Sequence, residues 1–140
     1  MSYLDTSVLT SYYCGEERSP RVQRMLSTIR QPTVSPLVEV EFCCSVARKE
    51  RAGAIERSEA LRIITEFRLH VGERRYALVP IGPSEYALAA DWIAGLAAPL
   101  RVLDGVHLAT AFAHKLVLVT ADKDLACAAK VFGVKHKLIS

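Results

Sequence analysis

Two carboxylates in this chain each follow a short apolar run that favours β-structure and precede a stretch that favours helix. Asp5 lies in Tyr3-Leu4-Asp5-Thr6-Ser7-Val8-Leu9, and Asp122 closes Leu116-Val117-Leu118-Val119-Thr120-Ala121-Asp122. Two further acids stand in apolar surroundings. Glu41 is four residues beyond Leu37 and three before Cys44, on or beside the apolar face of a predicted helix, and Asp104 opens the apolar stretch Gly105-Val106-His107-Leu108. Carboxylates are rarely placed in such surroundings without a partner. Hydroxyls accompany both strand-end acids, Ser7 two positions after Asp5 and Thr120 two positions before Asp122, and Asp124 follows further into the last helix. Oxygen donors of this kind suit a hard cation such as Mg²⁺ or Mn²⁺. Capping offers a second account of the same residues: Asp5 and Ser7 at the first helix, and Asp104 as an anion favoured by a helix N-terminus. His107 either faces Asp104 at i+3 or is a structural histidine.

The elements that must position these groups are legible in order. Ser2 to Leu4 reads as a strand, with a helix from Ser7 through Val8, Leu9 and Tyr12. Ser19-Pro20 combines a hydroxyl cap with proline at the first helical position and starts a helix to about Thr28 or Ile29, whose Val22, Met25, Leu26 and Ile29 share one face. A short strand at Thr33-Val34 leads to Ser35-Pro36, which repeats the device and starts a helix to about Arg51, closed by Gly53. Ser58 and Glu59 open a helix through Val71. Ala77 to Ile81 has the form of a short buried strand with Pro80 at its end or edge, and Glu85 to about Leu96 forms the next helix. Leu116 to Thr120 is the clearest buried strand, Lys123 to Phe132 a helix ended by Gly133, and Val134 to Ile139 a last short strand.

Strands alternating with helices imply parallel crossovers and an α/β fold, one central parallel sheet covered on both faces. The carboxyl ends of parallel strands share one edge, where ligands bind in open α/β sheets, so Asp5 and Asp122 are expected to converge there. Asp104 and Glu41 can join them. Four carboxylates that close raise one another's pKa unless cations neutralise them, so clustering is costly without metal. The chemistry served by such a cluster is phosphodiester hydrolysis, in which a divalent ion acidifies water and stabilises charge on the phosphate.

At 140 residues the chain is expected to form a single domain, residues 1–140. An apolar content of 51% with 24% charged residues excludes a disordered or low-complexity chain. No apolar run approaches the ~20 residues that span a bilayer, and no basic region precedes an apolar signal core, so a cytoplasmic protein without membrane contact is expected. Cys14, Cys43, Cys44 and Cys127 have no zinc spacing and read as small reduced core residues. The net charge of +3 suits transient nucleic-acid contact without establishing it. Arg18, Arg21, Arg48 and Lys49 fall in basic clusters that either line an RNA path or form a solvated surface. Trp92 and Tyr86 read as core or interface residues rather than a stacking platform for bases.

Four stretches together resemble the PIN-domain nucleases, and among them the VapC-type toxins of toxin-antitoxin operons. They are Tyr3 to Leu9, Ser35 to Phe42, Leu103 to Ala111 and Val119 to Leu125, and they occur in the family's order almost from end to end of the chain. The resemblance implies an α/β/α sandwich with a Rossmann-like layout and a Mg²⁺- or Mn²⁺-dependent endoribonuclease site made by Asp5, Glu41, Asp104 and Asp122. The family's interval from the serine selects Glu41 over Glu39. It also implies an RNA substrate, a homodimer, and a small cognate antitoxin whose C-terminal segment crosses the groove with a basic side chain toward the carboxylates. The brevity of the first strand departs from the family and predicts a weaker edge there.

Other readings compete. A PIN-domain nuclease of RNA processing or decay would have the same site without an antitoxin. An aspartate-nucleophile phosphatase calls for a second Asp two residues after the first, where this chain has Ser7. A receiver-like phospho-acceptor calls for an acidic pair at the first strand, which supplies only Asp5, and an inactive binding domain would have lost carboxylates that this chain retains.

Overall fold

The computed structural model describes residues 1–15 and 19–139. Among them, five short strands form one sheet in the order β3-β2-β1-β4-β5, with every neighbouring pair parallel. The chain runs β1 (Ser2–Leu4), α1 (Thr6–Tyr13), α2 (Ser19–Thr28), β2 (Pro32–Val34), α3 (Pro36–Arg51), α4 (Arg57–Gly72) and β3 (Ala77–Leu78). It continues with α5 (Pro83–Ala94), α6 (Val102–Ala113), β4 (Val117–Thr120), α7 (Lys123–Val131) and β5 (His136–Leu138).

From β1 the chain builds outward through β2 to β3, then returns to the other side of β1 for β4 and β5. Because parallel crossovers are right-handed, this reversal puts α1 to α4 on one face and α5 to α7 on the other. The packing agrees: α1 lies on α2 and α3, α3 on α4, and α5 on α6. The result is the expected α/β/α sandwich, with its topological switch point between β1 and β4.

The first strand is three residues long, as its sequence suggests, and it does not lie at a side of the sheet. It is the central strand, paired with β2 through Ser2–Pro32 and with β4 through Leu4–Val119. Its side chains match that position, since Tyr3 and Leu4 are completely buried. They join a core of Leu9, Phe42, Phe67, Leu108 and Leu118.

Several boundaries differ from the sequence reading for local reasons. The β3 ladder stops at Leu78 rather than Ile81, because it is an edge strand and Pro80 has no N–H to continue it. The last strand occupies only His136–Leu138 of the 134–139 run. Gly53 and Gly133, at φ 77° and 69°, supply the left-handed turns that follow α3 and α7, as expected. Trp92 packs against Phe112 and Phe132, whereas Tyr86 is exposed on α5. None of the four cysteines is in a disulfide among the described residues, but Cys44 and Cys127 are exposed rather than core, because their helix positions face away from the sheet.

Candidate active site

Register brings the first two acids together. Leu4 pairs with Val119, and the Asp5 N–H donates to the Val119 carbonyl at 3.0 Å, so the chain leaves β1 level with the end of β4. There the Thr120 hydroxyl donates to Asp5 Oδ2 at 2.8 Å and accepts from the Asp122 N–H at 3.0 Å. Ser7 Oγ donates to the same Asp5 oxygen at 2.6 Å and accepts from the Ala121 N–H at 3.0 Å. Two hydroxyls therefore stitch the ends of the central strands together and fix the rotamer of a carboxylate that is only 7% exposed.

Asp5 is the residue before α1, yet its side chain makes no capping bond, so the capping account fails for it. Asp122 does both jobs. Its Oδ1 accepts from the N–H groups of Asp124 and Leu125, capping α7, while Oδ2 faces Arg101 at 3.5 Å. Asp104 is in the first turn of α6, two residues inside the helix, and Oδ2 accepts from Arg101 Nε at 3.1 Å.

Glu41 reaches the same place from α3, where Val38, Phe42 and Val46 form the buried stripe beside it. Its Oε1 accepts from Thr6 Oγ1 at 2.9 Å and from His107 Nε2. The other ring nitrogen of His107, Nδ1, meets the Tyr3 hydroxyl at 2.7 Å, and that hydroxyl meets Ser35 Oγ at 2.7 Å. His107 is fully buried, so this chain of polar groups runs through the core and holds Glu41 from behind. The histidine faces Glu41 rather than Asp104. Glu39 is engaged elsewhere, bonded to Arg68 at 3.1 Å on the outer surface, which separates the two glutamates as the motif interval implies.

All four carboxylates line one cleft of about 690 Å³, with Ser7, Arg48 and Lys49 also in its walls. The other predicted groups are less well placed. Asp124 borders an adjoining groove with Leu125 and Val131 rather than this cleft, because two residues beyond Asp122 the first turn of α7 has carried it to another side of the helix. Arg21 is exposed on α2 and outside the cleft lining. Arg18 lies outside the described residues. Thr6 and Arg101 were not singled out in the sequence. The i,i+3 spacing of Arg101 to Asp104 is a usable signal, but its approach to Asp122 has no local signature.

Clustered charge leaves its mark unequally. Burial pushes the Asp104 carboxyl up, and the Asp122 and Asp5 charges add to this against the opposing effect of Arg101. Burial acts the same way on Glu41, but the bond and charge of His107, with the Thr6 bond, bring its carboxyl below the usual range. Burial would lower the His107 pKa, but Glu41 outweighs it and raises it. The two groups hence favour an imidazolium–carboxylate pair.

Among the described residues no group of three or more His, Cys, Asp or Glu side chains is arranged to hold a metal ion as they stand. The donor chemistry nevertheless fits a hard divalent ion. All four acids offer oxygen, the cleft has room for retained water, and Mg²⁺ typically needs only one or two protein carboxylates together with waters and substrate phosphate. No helix is long and apolar enough to cross a membrane among the described residues.

No curated protein matches the sequence. The fold does have solved counterparts. FitAcB from Neisseria gonorrhoeae superposes with a TM-score of 0.71 at 19% identity, covering 97% of this chain and 96% of that one. The sarcin-ricin loop cleaving toxin VapC20 of Mycobacterium tuberculosis gives 0.71 at 15% identity, covering 91% and 95%. DNA-bound VapBC from Salmonella typhimurium gives 0.72 at 15% identity over 100% of both chains. At such identities these likenesses concern the fold. The sequence itself matches the model of the PIN domain over residues 2–131, and with this match across nearly all its length the chain belongs to the PIN domain family.

Proposed function

We propose that this chain is a divalent-metal-dependent endoribonuclease acting as the toxin of a toxin-antitoxin pair, with residues 1–140 working as one cytoplasmic PIN-like domain. The observation that carries the reading is the convergence of Asp5, Glu41, Asp104 and Asp122 on one cleft at the switch point of a PIN fold. The toxin role is supported by structural likeness to chains solved in toxin-antitoxin complexes, and it brings with it a small antitoxin and a homodimer as partners.

Asp5 and Asp122 would hold Mg²⁺ or Mn²⁺ directly, with Asp104 and Glu41 doing so directly or through water. The ion, when bound, supplies acidified water and stabilises charge developing on the phosphate. Ser7 and Thr120 keep Asp5 in one rotamer, and His107 with Thr6 does the same for Glu41. Outer partners of this kind orient ligands and raise their effectiveness. Arg48 and Lys49, on the wall of the cleft, present positive charge to the RNA backbone.

The test is cleavage of a mixed RNA pool with Mn²⁺ or Mg²⁺ by wild type and Asp5→Asn, with an EDTA control and melting curves for both proteins. Asn preserves shape but removes a full charge, so cleavage should be lost while melting is retained. Cleavage that survives EDTA, or an unimpaired Asp5→Asn protein, would defeat the metal-nuclease reading. For the toxin role, induced wild-type protein should arrest growth and co-expression of a small upstream reading frame should relieve the arrest. Growth unaffected by active protein would favour RNA processing instead.

A further inference from the structure

Arg101 immediately precedes α6 and puts its guanidinium where a cation is called for. Nε meets Asp104 Oδ2 at 3.1 Å and Nη2 meets Asp122 Oδ2 at 3.5 Å, so one side chain bridges acids from two elements. Those carboxylates are partly enclosed, 20% and 32% exposed, whereas the Arg101 side chain is 76% exposed. It also borders both the carboxylate cleft and the adjoining groove of about 650 Å³ beside Pro99, Leu100 and Leu125. The guanidinium can therefore leave the acids for that groove without disturbing any buried contact.

We infer that Arg101 is a tethered counter-cation that bridges Asp104 and Asp122 in the metal-free protein and competes there with the divalent ion, setting the metal concentration at which the site loads. This rests on the metal-nuclease reading above. The physical case is that of two cations for one place. A guanidinium in contact with two carboxylate oxygens reduces the negative potential offered to an entering ion, and those oxygens must exchange it for the ion on loading. Because the arginine is exposed, its release requires no unfolding and its grip weakens with salt.

The experiment is calorimetric titration of Mn²⁺ into metal-free wild type, Arg101→Gln and Arg101→Lys at low ionic strength, with melting curves before and after loading. Giving up a guanidinium–carboxylate pair, unit charges about 4 Å apart in water-like surroundings, costs roughly fivefold in an equilibrium constant. Arg101→Gln should thus bind Mn²⁺ roughly fivefold more tightly than wild type, and the difference should shrink as salt is added. Arg101→Lys, which keeps the charge, should stay near wild type. Metal-free melting of Arg101→Gln should remain close to wild type, since exposed ion pairs contribute little to stability. Equal or weaker Mn²⁺ binding by folded Arg101→Gln would overturn the inference while leaving the nuclease reading intact. Absence of Mn²⁺ binding by all three proteins would refute the metal site itself, and the inference with it.

Discussion

Replacing His107 with Leu puts the buried relay behind Glu41 to a quantitative test. The two side chains are similar in volume, so little cavity is expected, and the change falls on two hydrogen bonds at a site with no solvent exposure. One bond, to Glu41, is charge-assisted and contributes about 1.5–3 kcal/mol, and the other, to the Tyr3 hydroxyl, contributes about 1 kcal/mol. The orphaned partners are not wholly stranded, because Tyr3 keeps Ser35, and Glu41 keeps Thr6 and some access to water. Burying Leu in place of a polar ring returns part of the loss, leaving a net destabilisation of about 2 kcal/mol. For a chain of this length that corresponds to a fall in Tm of roughly 6 °C. Urea denaturation and thermal melting at pH 7 measure it, alongside Tyr3→Phe and the double variant. If Tyr3 and His107 act as one network, the double variant should be less destabilised than the sum of the singles, by at least about 0.5 kcal/mol. Strict additivity, or a His107→Leu protein that melts with wild type, would refute the relay.

Two further outcomes follow from side chains around the sheet. Glu85 accepts from Ser84 Oγ at 2.8 Å and from the Gly82 N–H at 3.0 Å, and it pairs with His114 at 3.2 Å; the Ser84 bond, then the backbone bonds, hold its carboxyl below the usual range. A lowered folded-state pKa gives stability that is present above the unfolded value of 4.5 and lost as pH falls through the folded value. Wild type should therefore melt above Glu85→Gln at pH 7 and converge on it in acid, and a constant gap across that range would contradict the assignment. Charge reversal of Arg48 and Lys49 in an Asp5→Asn background should weaken RNA binding and flatten its dependence on log salt by about two contacts. Arg21→Glu, outside the cleft, should do neither, and fluorescence anisotropy with labelled RNA separates these results.

The elements of this protein are largely local decisions. Pro20 and Pro36 favour helix starts because the fixed proline φ acts within the first turn, although the Ser35 hydroxyl makes no capping bond and meets Tyr3 instead, and Gly133 ends a helix because it tolerates a left-handed φ of 69°. The continuous run at Leu116 to Thr120 reads as a buried strand because both faces of a parallel sheet are covered. Even the meeting of Asp5 with Asp122 was legible, since parallel strands send their carboxyl ends to one edge. What required tertiary structure is everything set by strand order and by helix rotation about its own axis. No local pattern says that a three-residue first strand is central rather than marginal, because centrality depends on where the chain returns after β3. Nor does one say that His107 will meet Glu41, 66 residues away, and Tyr3, 104 residues away, instead of the nearby Asp104. Helical spacing on α6 offers His107 only Asp104, and burial against β1 and α3 turns the ring to Glu41 and Tyr3 instead. Arg101 is a mixed case. Its i,i+3 relation to Asp104 is written in the sequence, but only the approach of β4 and α7 brings Asp122 within its reach and turns a surface ion pair into a cation lodged among the acids of the cleft.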